Sequence, residues 1–215
     1  MKTLAFTCGD INGIGPEICI KTINQIYSPS ERKIVLFCPS NVIEEELLGT
    51  THSFSYQIIK DKLPQNLDPS YVTIINTGNY KQQVGKPTIF SGKAAFASLK
   101  RAYEAASLKL ADAIITAPVS KTAFKFAGIK YPGQTEILAK FSKSKNYLMV
   151  FLSNKFICGL TTIHEPIKNV SKLITKQRIV SSIKTLNETL VKDLGKSSPK
   201  IAVLGLNPHA VENGN

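Results

Sequence analysis

Residues 7–17 read Thr-Cys-Gly-Asp-Ile-Asn-Gly-Ile-Gly-Pro-Glu, and this stretch decides the fold class. It follows a short β-prone run at residues 3–7, and its glycines allow tight turning where the chain leaves a strand. Gly15-Pro16-Glu17 then opens a helix through about Ile26, because the first helical turn tolerates a proline that has no N–H to donate. A strand that turns straight into a helix is the first half of a β-α-β unit.

The same alternation continues outward. Residues 33–37 form a second strand, Asn41 caps an acidic helix at 42–48, and residues 71–76 form a further strand after a proline-containing loop. Ser91 is expected to cap a long helix at 92–108. Residues 113–116 make a buried strand ending at Ala117-Pro118, followed by short helices at 120–126 and 135–141. Adjacent strands at 147–152 and 156–161 turn at Asn154. One long amphipathic helical region then spans 170–194, ends at Gly195 and leads to a last strand at 200–206. This order predicts an α/β fold, a largely parallel sheet flanked by helices, with a mixed second sheet around 147–161. The final strand runs directly into a loop, so the fold is expected to lack a C-terminal part.

With 215 residues and 43% hydrophobic content, the chain can bury a core. No secretory pattern precedes Cys8 and no apolar run approaches the roughly 18 residues of a membrane span, which predicts a cytoplasmic protein that is not membrane-bound. Cys8, Cys19, Cys38 and Cys158 lie at wide, irregular spacings, so reduced, mostly buried thiols are expected rather than a zinc or redox pair. The net charge of +12 comes from scattered lysines, not from a basic stripe with interleaved aromatics, and no nucleic-acid partner is expected.

Ligands of open α/β sheets bind where strands end. The 7–17 loop is either a strand-to-helix turn or an anion cradle; it is neither GxGxxG nor a P-loop. Thr116-Ala117-Pro118-Val119-Ser120-Lys121 and Gly133-Gln134-Thr135-Glu136 offer hydroxyls and helix starts suited to a phosphate or carboxylate, or else ordinary capping residues and a solvated lysine. Two of the three histidines, His164 in Thr161-Thr162-Ile163-His164-Glu165-Pro166 and His209 in Leu206-Asn207-Pro208-His209-Ala210, follow predicted strands beside a proline. Neutral imidazole is the commonest divalent-metal ligand, so a shared metal site is expected, completed by Asp10, Glu165, Glu212 or residues from elsewhere.

Taken together, GDINGIGPE, TAPVSK, AGIKYPGQTE, TTIHEP and GLNPHA occur in order along essentially the whole chain, and the sequence resembles the 4-hydroxythreonine-4-phosphate dehydrogenase family. The resemblance implies an isocitrate/isopropylmalate dehydrogenase-like fold, in which residues 1–215 are the N-terminal portion of a two-domain dehydrogenase. It implies a homodimer with its active site at the domain and subunit interface, a divalent metal such as zinc, magnesium or cobalt, and NAD or NADP as hydride acceptor. His164 and His209 match two metal-binding histidines of the family, and Gln134 and Thr135 match its substrate-binding pair. The family normally has histidine where this chain has Gln134, and glycine where it has Val211. Its third metal histidine and much of its dinucleotide site lie beyond the stretch matched here. The implied activity is metal-dependent oxidation of 4-phosphohydroxy-L-threonine in pyridoxal phosphate biosynthesis. The alternatives are a dehydrogenase of a related four-carbon phosphorylated sugar acid, a transferring relative, and a metal- and phosphate-binding remnant without turnover.

Overall fold

The computed structural model describes residues 1–60 and 63–207. The chain divides into two compact units, Met1–Phe141 and Ser142–Asn215. In the first, β1 (Lys2–Thr7), β2 (Arg32–Cys38), β3 (Tyr56–Ile59), β4 (Val72–Asn76) and β5 (Ala113–Thr116) form one sheet in the order β3-β4-β2-β1-β5. Every pairing in it is parallel. Helices α1 (Gly15–Ile26), α2 (Ser40–Gly49), α3 (Ile89–Ser107), α4 (Lys121–Phe126) and α5 (Gln134–Phe141) connect or follow the strands.

The central strands carry unbroken apolar runs because they are covered on both faces. On one face Phe6, Leu36 and Ile74 pack with Ile20 and Ile23 of α1 and Val42 and Ile43 of α2. Side chains alternate along a strand, so Ala5, Val35, Phe37 and Ile75 point the other way, onto Ala102 and Ala105 of α3. The small residues of α3 let it lie close to the sheet. There the buried Ser98 hydroxyl donates to the Phe37 carbonyl at 2.6 Å and accepts from the Cys8 N–H at 3.0 Å.

The second unit holds an antiparallel hairpin of β6 (Met149–Leu152) and β7 (Ile157–Leu160), followed by α6 (Ile167–Leu173) and α7 (Lys176–Lys192). Ser153 makes the hairpin turn, its Oγ accepting from the N–H groups of Lys155 and Phe156. Among the described residues of this unit only Leu190 is buried, while Phe151, Leu152, Phe156 and Ile167 are exposed.

The expected α/β class and parallel sheet are present, and several local expectations are corrected. Asn41 does not cap α2: it lies inside the helix, and its side-chain amide instead pairs with the backbone of Tyr80. Thr88, not Ser91, caps α3; Ser91 sits three residues on and completes a reciprocal capping box. The 170–194 region is two helices, because Thr175 has extended backbone and its hydroxyl accepts from Arg178 N–H to start α7 anew. Residues 200–206 join no ladder among the described residues, and the second sheet is purely antiparallel rather than mixed. The short edge strand β3 had no expectation; it has only four residues.

Cys8, Cys19 and Cys38 are buried free thiols, and burial raises the pKa of both Cys19 and Cys38. An unfolded chain releases such protons above about pH 8.5, whereas the folded chain keeps them. Their stabilising contribution is therefore complete below that pH and declines above it, by about 1.4 kcal/mol per pH unit for each thiol. Urea unfolding at pH 8 and pH 10 should show this loss, and a Cys19→Ala, Cys38→Ala double variant should flatten it. An equal slope in that variant would assign the alkaline loss to other groups.

Candidate functional site

The loops that leave the carboxyl ends of β1, β2, β4 and β5 are tied together by hydrogen bonds. Asp10 N–H, after β1, donates to the Pro118 carbonyl, after β5, at 2.8 Å. Gly9 makes this approach possible: its φ is +65°, and a Cβ there would stand 2.3 Å from the Pro118 carbonyl oxygen. Likewise a Cβ on Gly15 would meet the Cys8 carbonyl oxygen at 2.2 Å. The space that these two glycines free is filled by the chain's own backbone. Of the two readings of residues 7–17, strand-to-helix turn or anion cradle, this packing favours the turn.

Asn12 holds the turn in place. Only 2% exposed, it donates from Nδ2 to the Lys86 carbonyl at 2.7 Å and to Thr88 Oγ1 at 3.2 Å, and its Oδ1 accepts from Gln83 N–H at 2.8 Å. The Asn12 carbonyl accepts from Gly85 N–H, and Gln82 Nε2 donates to the Ile11 carbonyl. Residues 77–88, which follow β4, are thereby clamped to the β1–α1 turn. The sequence reading assigned this loop no role, although Asn76-Thr77-Gly78 follows a predicted strand and the strand-end rule itself points to it. Asn76 Oδ1 also accepts from Ser40 N–H and Gly78 N–H, joining the ends of β2 and β4.

Gln134 stands at the start of α5, with its Nε2 donating to the carbonyl of Ala117, directly after β5, at 3.0 Å. Its Oε1 is buried without a partner; Thr7 Oγ1, at the end of β1, and Thr77 Oγ1, just after β4, share that state. Thr135 is partly buried in the first turn of α5. Ser120 caps α4 by accepting from Ala123 N–H at 3.1 Å, and Lys121 is exposed, so for these two residues the ordinary structural roles hold. Asp10 spends Oδ1 on Asn12 N–H within the turn.

In the second unit, His164 is exposed and has left-handed backbone, with φ 56°. A β-carbon makes that conformation costly, and such strain collects at functional positions. A groove of about 550 Å³ in this unit is lined by Lys145, Lys172 and Arg178 and by several hydroxyls, with no carboxylate. His209, like Glu212 and Val211, lies outside the described residues. Among the described residues no group of three or more His, Cys, Asp or Glu side chains is placed to hold a metal ion. His164 is thus a single candidate donor, and the described part of the chain does not make a centre by itself. His52, assigned no role, packs its ring against Phe54.

No helix among the described residues is long and apolar enough to cross a membrane. The family model of pyridoxal phosphate biosynthetic protein PdxA matches residues 30–215. The chain is 36% identical to a 4-hydroxythreonine-4-phosphate dehydrogenase of Sulfurihydrogenibium sp. (strain YO3AOP1), covering 100% of this chain and 66% of that protein. It is 32% identical to a D-threonate 4-phosphate dehydrogenase of Salmonella typhimurium, covering 99% of this chain and again 66% of the relative. Among solved structures, 4-hydroxythreonine-4-phosphate dehydrogenase from Klebsiella pneumoniae superposes with a TM-score of 0.84 at 28% identity, over 97% of this chain and 63% of that one. The chain therefore spans just under two thirds of the length of these relatives. A parallel sheet with its polar loops knotted at the strand ends, matched in sequence over residues 30–215 and in structure over nearly the whole chain, places it in the PdxA family of pyridoxal phosphate biosynthetic proteins.

Proposed function

We propose that the protein is a cytoplasmic, homodimeric dehydrogenase of 4-phosphohydroxy-L-threonine that depends on NAD or NADP and a divalent metal. Oxidation of the substrate hydroxyl gives a β-keto acid, which loses carbon dioxide to leave 3-amino-2-oxopropyl phosphate for pyridoxal 5'-phosphate synthesis. The observation that carries this reading is the family match over residues 30–215, joined to relatives named for this reaction. When bound, a divalent ion such as zinc, magnesium or cobalt supplies Lewis acidity that favours ionisation of the hydroxyl, and the nicotinamide takes up hydride.

Within this chain, Gln134 and Thr135 hold the substrate at the carboxyl end of β5, where Gln134 Oε1 has an unused lone pair. His164 and His209 provide two metal ligands, and the remainder come from residues outside this stretch. Much of the dinucleotide site lies outside this stretch, as the family resemblance implies, and no residue of the chain is assigned to it. A second reading, oxidation of D-threonate 4-phosphate, is supported by the Salmonella relative, and Gln134, standing where the family has histidine, leaves it open.

Zinc or cobalt titration of the 215-residue chain and of a His164→Ala, His209→Ala double variant tests the metal assignment. The double variant should bind at least about 100-fold more weakly, since changes even outside the ligand shell cost 10–100-fold. Equal affinity would sink the assignment. Reduced nicotinamide formed with 4-phosphohydroxy-L-threonine but not D-threonate 4-phosphate supports the first reading, and the reverse supports the second. No reduction with either, despite metal binding, indicates that these residues alone do not turn over.

A further inference from the structure

The groove of about 550 Å³ lies wholly within the second unit, and every charged side chain on its wall is a cation. These are Lys145, ahead of β6, Lys172, in the last turn of α6, and Arg178, in the first turn of α7. None of the three makes an ion pair among the described residues. Residues 142–215 hold 11 Lys and Arg against 4 Asp and Glu, so +7 of the chain's formal +12 belongs to this one unit. Like charges gathered on one concave wall repel, and an anion seated among them relieves the repulsion.

Arg178 is the fixed member of the set. Its backbone N–H donates to Thr175 Oγ1, and its Nε donates to the Thr161 carbonyl, just after β7, at 2.9 Å. The half-buried guanidinium is thereby held in place, while the four N–H groups on its two Nη atoms have no protein acceptor among the described residues. Ser181, Ser182 and Thr185 also line the groove; they follow Arg178 by three, four and seven residues, so their hydroxyls share its face of α7. Ser181 Oγ donates to Asn146 Oδ1 at 3.2 Å, which ties the neighbour of Lys145 to that face. Leu148, Leu160 and Ile163 add an apolar part to the lining.

From this juxtaposition we infer that the groove binds the phosphate monoester of a small organic molecule. Arg178 grips the phosphate through its Nη fork, Lys145 and Lys172 balance its charge, and the α7 hydroxyls donate to its remaining oxygens. A carboxylate brings one charge and two oxygens, too few for three cations and a row of hydroxyls, whereas a phosphate monoester brings nearly two charges and three terminal oxygens. Free phosphate would leave the apolar residues uncovered in a groove of the size that holds an organic ligand. The inference concerns the second unit alone and does not rest on the reaction proposed above.

Calorimetry on the 215-residue chain with phenyl phosphate, benzoate and inorganic phosphate tests it. Phenyl phosphate should bind about 10-fold more tightly than benzoate, which shares its ring but carries a carboxylate, and about 5-fold more tightly than inorganic phosphate, which has no apolar body. Arg178→Lys keeps the charge but not the fork, and should weaken phenyl phosphate by about 10-fold or more. Lys172→Gln changes an exposed side chain that the fold does not need, and should weaken it about 3- to 10-fold. Lys184→Gln, on α7 but outside the groove, should change nothing. Equal losses in the two glutamine variants would show a diffuse positive field instead of a site and overturn the inference. So would benzoate or inorganic phosphate binding as tightly as phenyl phosphate, full affinity in Arg178→Lys, or no saturable binding of phenyl phosphate below about 10 mM. If circular dichroism shows Arg178→Lys to be unfolded, the comparison of Lys172→Gln with Lys184→Gln decides.

Discussion

Gly9→Ala is expected to lower the melting temperature by about 10 °C. Gly9 has φ +65°, where a β-carbon costs roughly 1–2 kcal/mol, and the added methyl would stand 2.3 Å from the Pro118 carbonyl oxygen and 2.9 Å from the Ala117 carbonyl carbon. Both obstacles are backbone, so no side chain can swing aside. Relief requires β1 and the loop after β5 to separate, and forcing apart a packed contact typically adds 1–3 kcal/mol. The sum is about 2–5 kcal/mol, and in a chain of this size each kcal/mol moves the midpoint by roughly 2–4 °C, which centres the shift near 10 °C. Separation also breaks the Asp10-to-Pro118 hydrogen bond and displaces Ala117, whose carbonyl orients Gln134. Thermal unfolding followed by circular dichroism checks this. A shift within 2 °C would mean that the two loops do not meet as described.

Asn12→Leu should cost about 3 kcal/mol and loosen residues 77–88 without unfolding the sheet. Asn12 is buried and serves three groups at once: the Lys86 carbonyl, the Thr88 hydroxyl and the Gln83 N–H. Leucine is of similar size, so packing volume is kept while the partners are left unpaired, at roughly 1 kcal/mol or more each. Thr88 caps α3, so the start of that helix loses a tether as well. Hydrogen exchange should quicken at Gln83 and Gly85, which donate to Asn12, and remain slow at Val35 and Leu36 in β2. Asn12→Asp separates charge and donation from shape: it can still accept from Gln83 but cannot donate to Lys86, and should lose most of the same stability. Uniformly faster exchange across the sheet would instead make Asn12 a general core residue, not a clamp.

Much of this architecture is legible along the chain. The apolar runs at residues 3–7, 33–37 and 71–76, separated by helical patterns, are enough to read a parallel sheet, because strands covered on both faces must be apolar throughout; residues 113–116, expected to be buried, instead form the edge strand β5, exposed at Ala113 and Thr116. Pro16 marks the start of α1 and Gly195 follows the end of α7, for reasons local to a few residues. The caps were less legible. Asn41 and Ser91 are both good capping residues, but Pro39 and Thr88 precede the helices by geometry that depends on where β2 ends and on where residues 77–88 are held. The break at Thr175 was hidden because the apolar period runs through it.

The candidate site divides in the same way. Residue chemistry points to His164 and His209 as imidazoles after predicted strands and to the hydroxyls and helix starts at 116–121 and 133–136, whereas Gln134 and Thr135 as a substrate-binding pair come from the family resemblance. Folding decided what each strand-end loop is for. Whether the glycines of residues 7–17 cradle an anion or admit a neighbouring backbone depends on what occupies the space beside them, and the neighbour is Pro118, more than a hundred residues away. Asn12 looks like any turn asparagine until the loop after β4 comes to lie on it. Gln134 could offer a donor or an acceptor, and only the Ala117 carbonyl fixes which, because hydrogen-bond polarity belongs to a pair of groups and the second member is brought there by the fold.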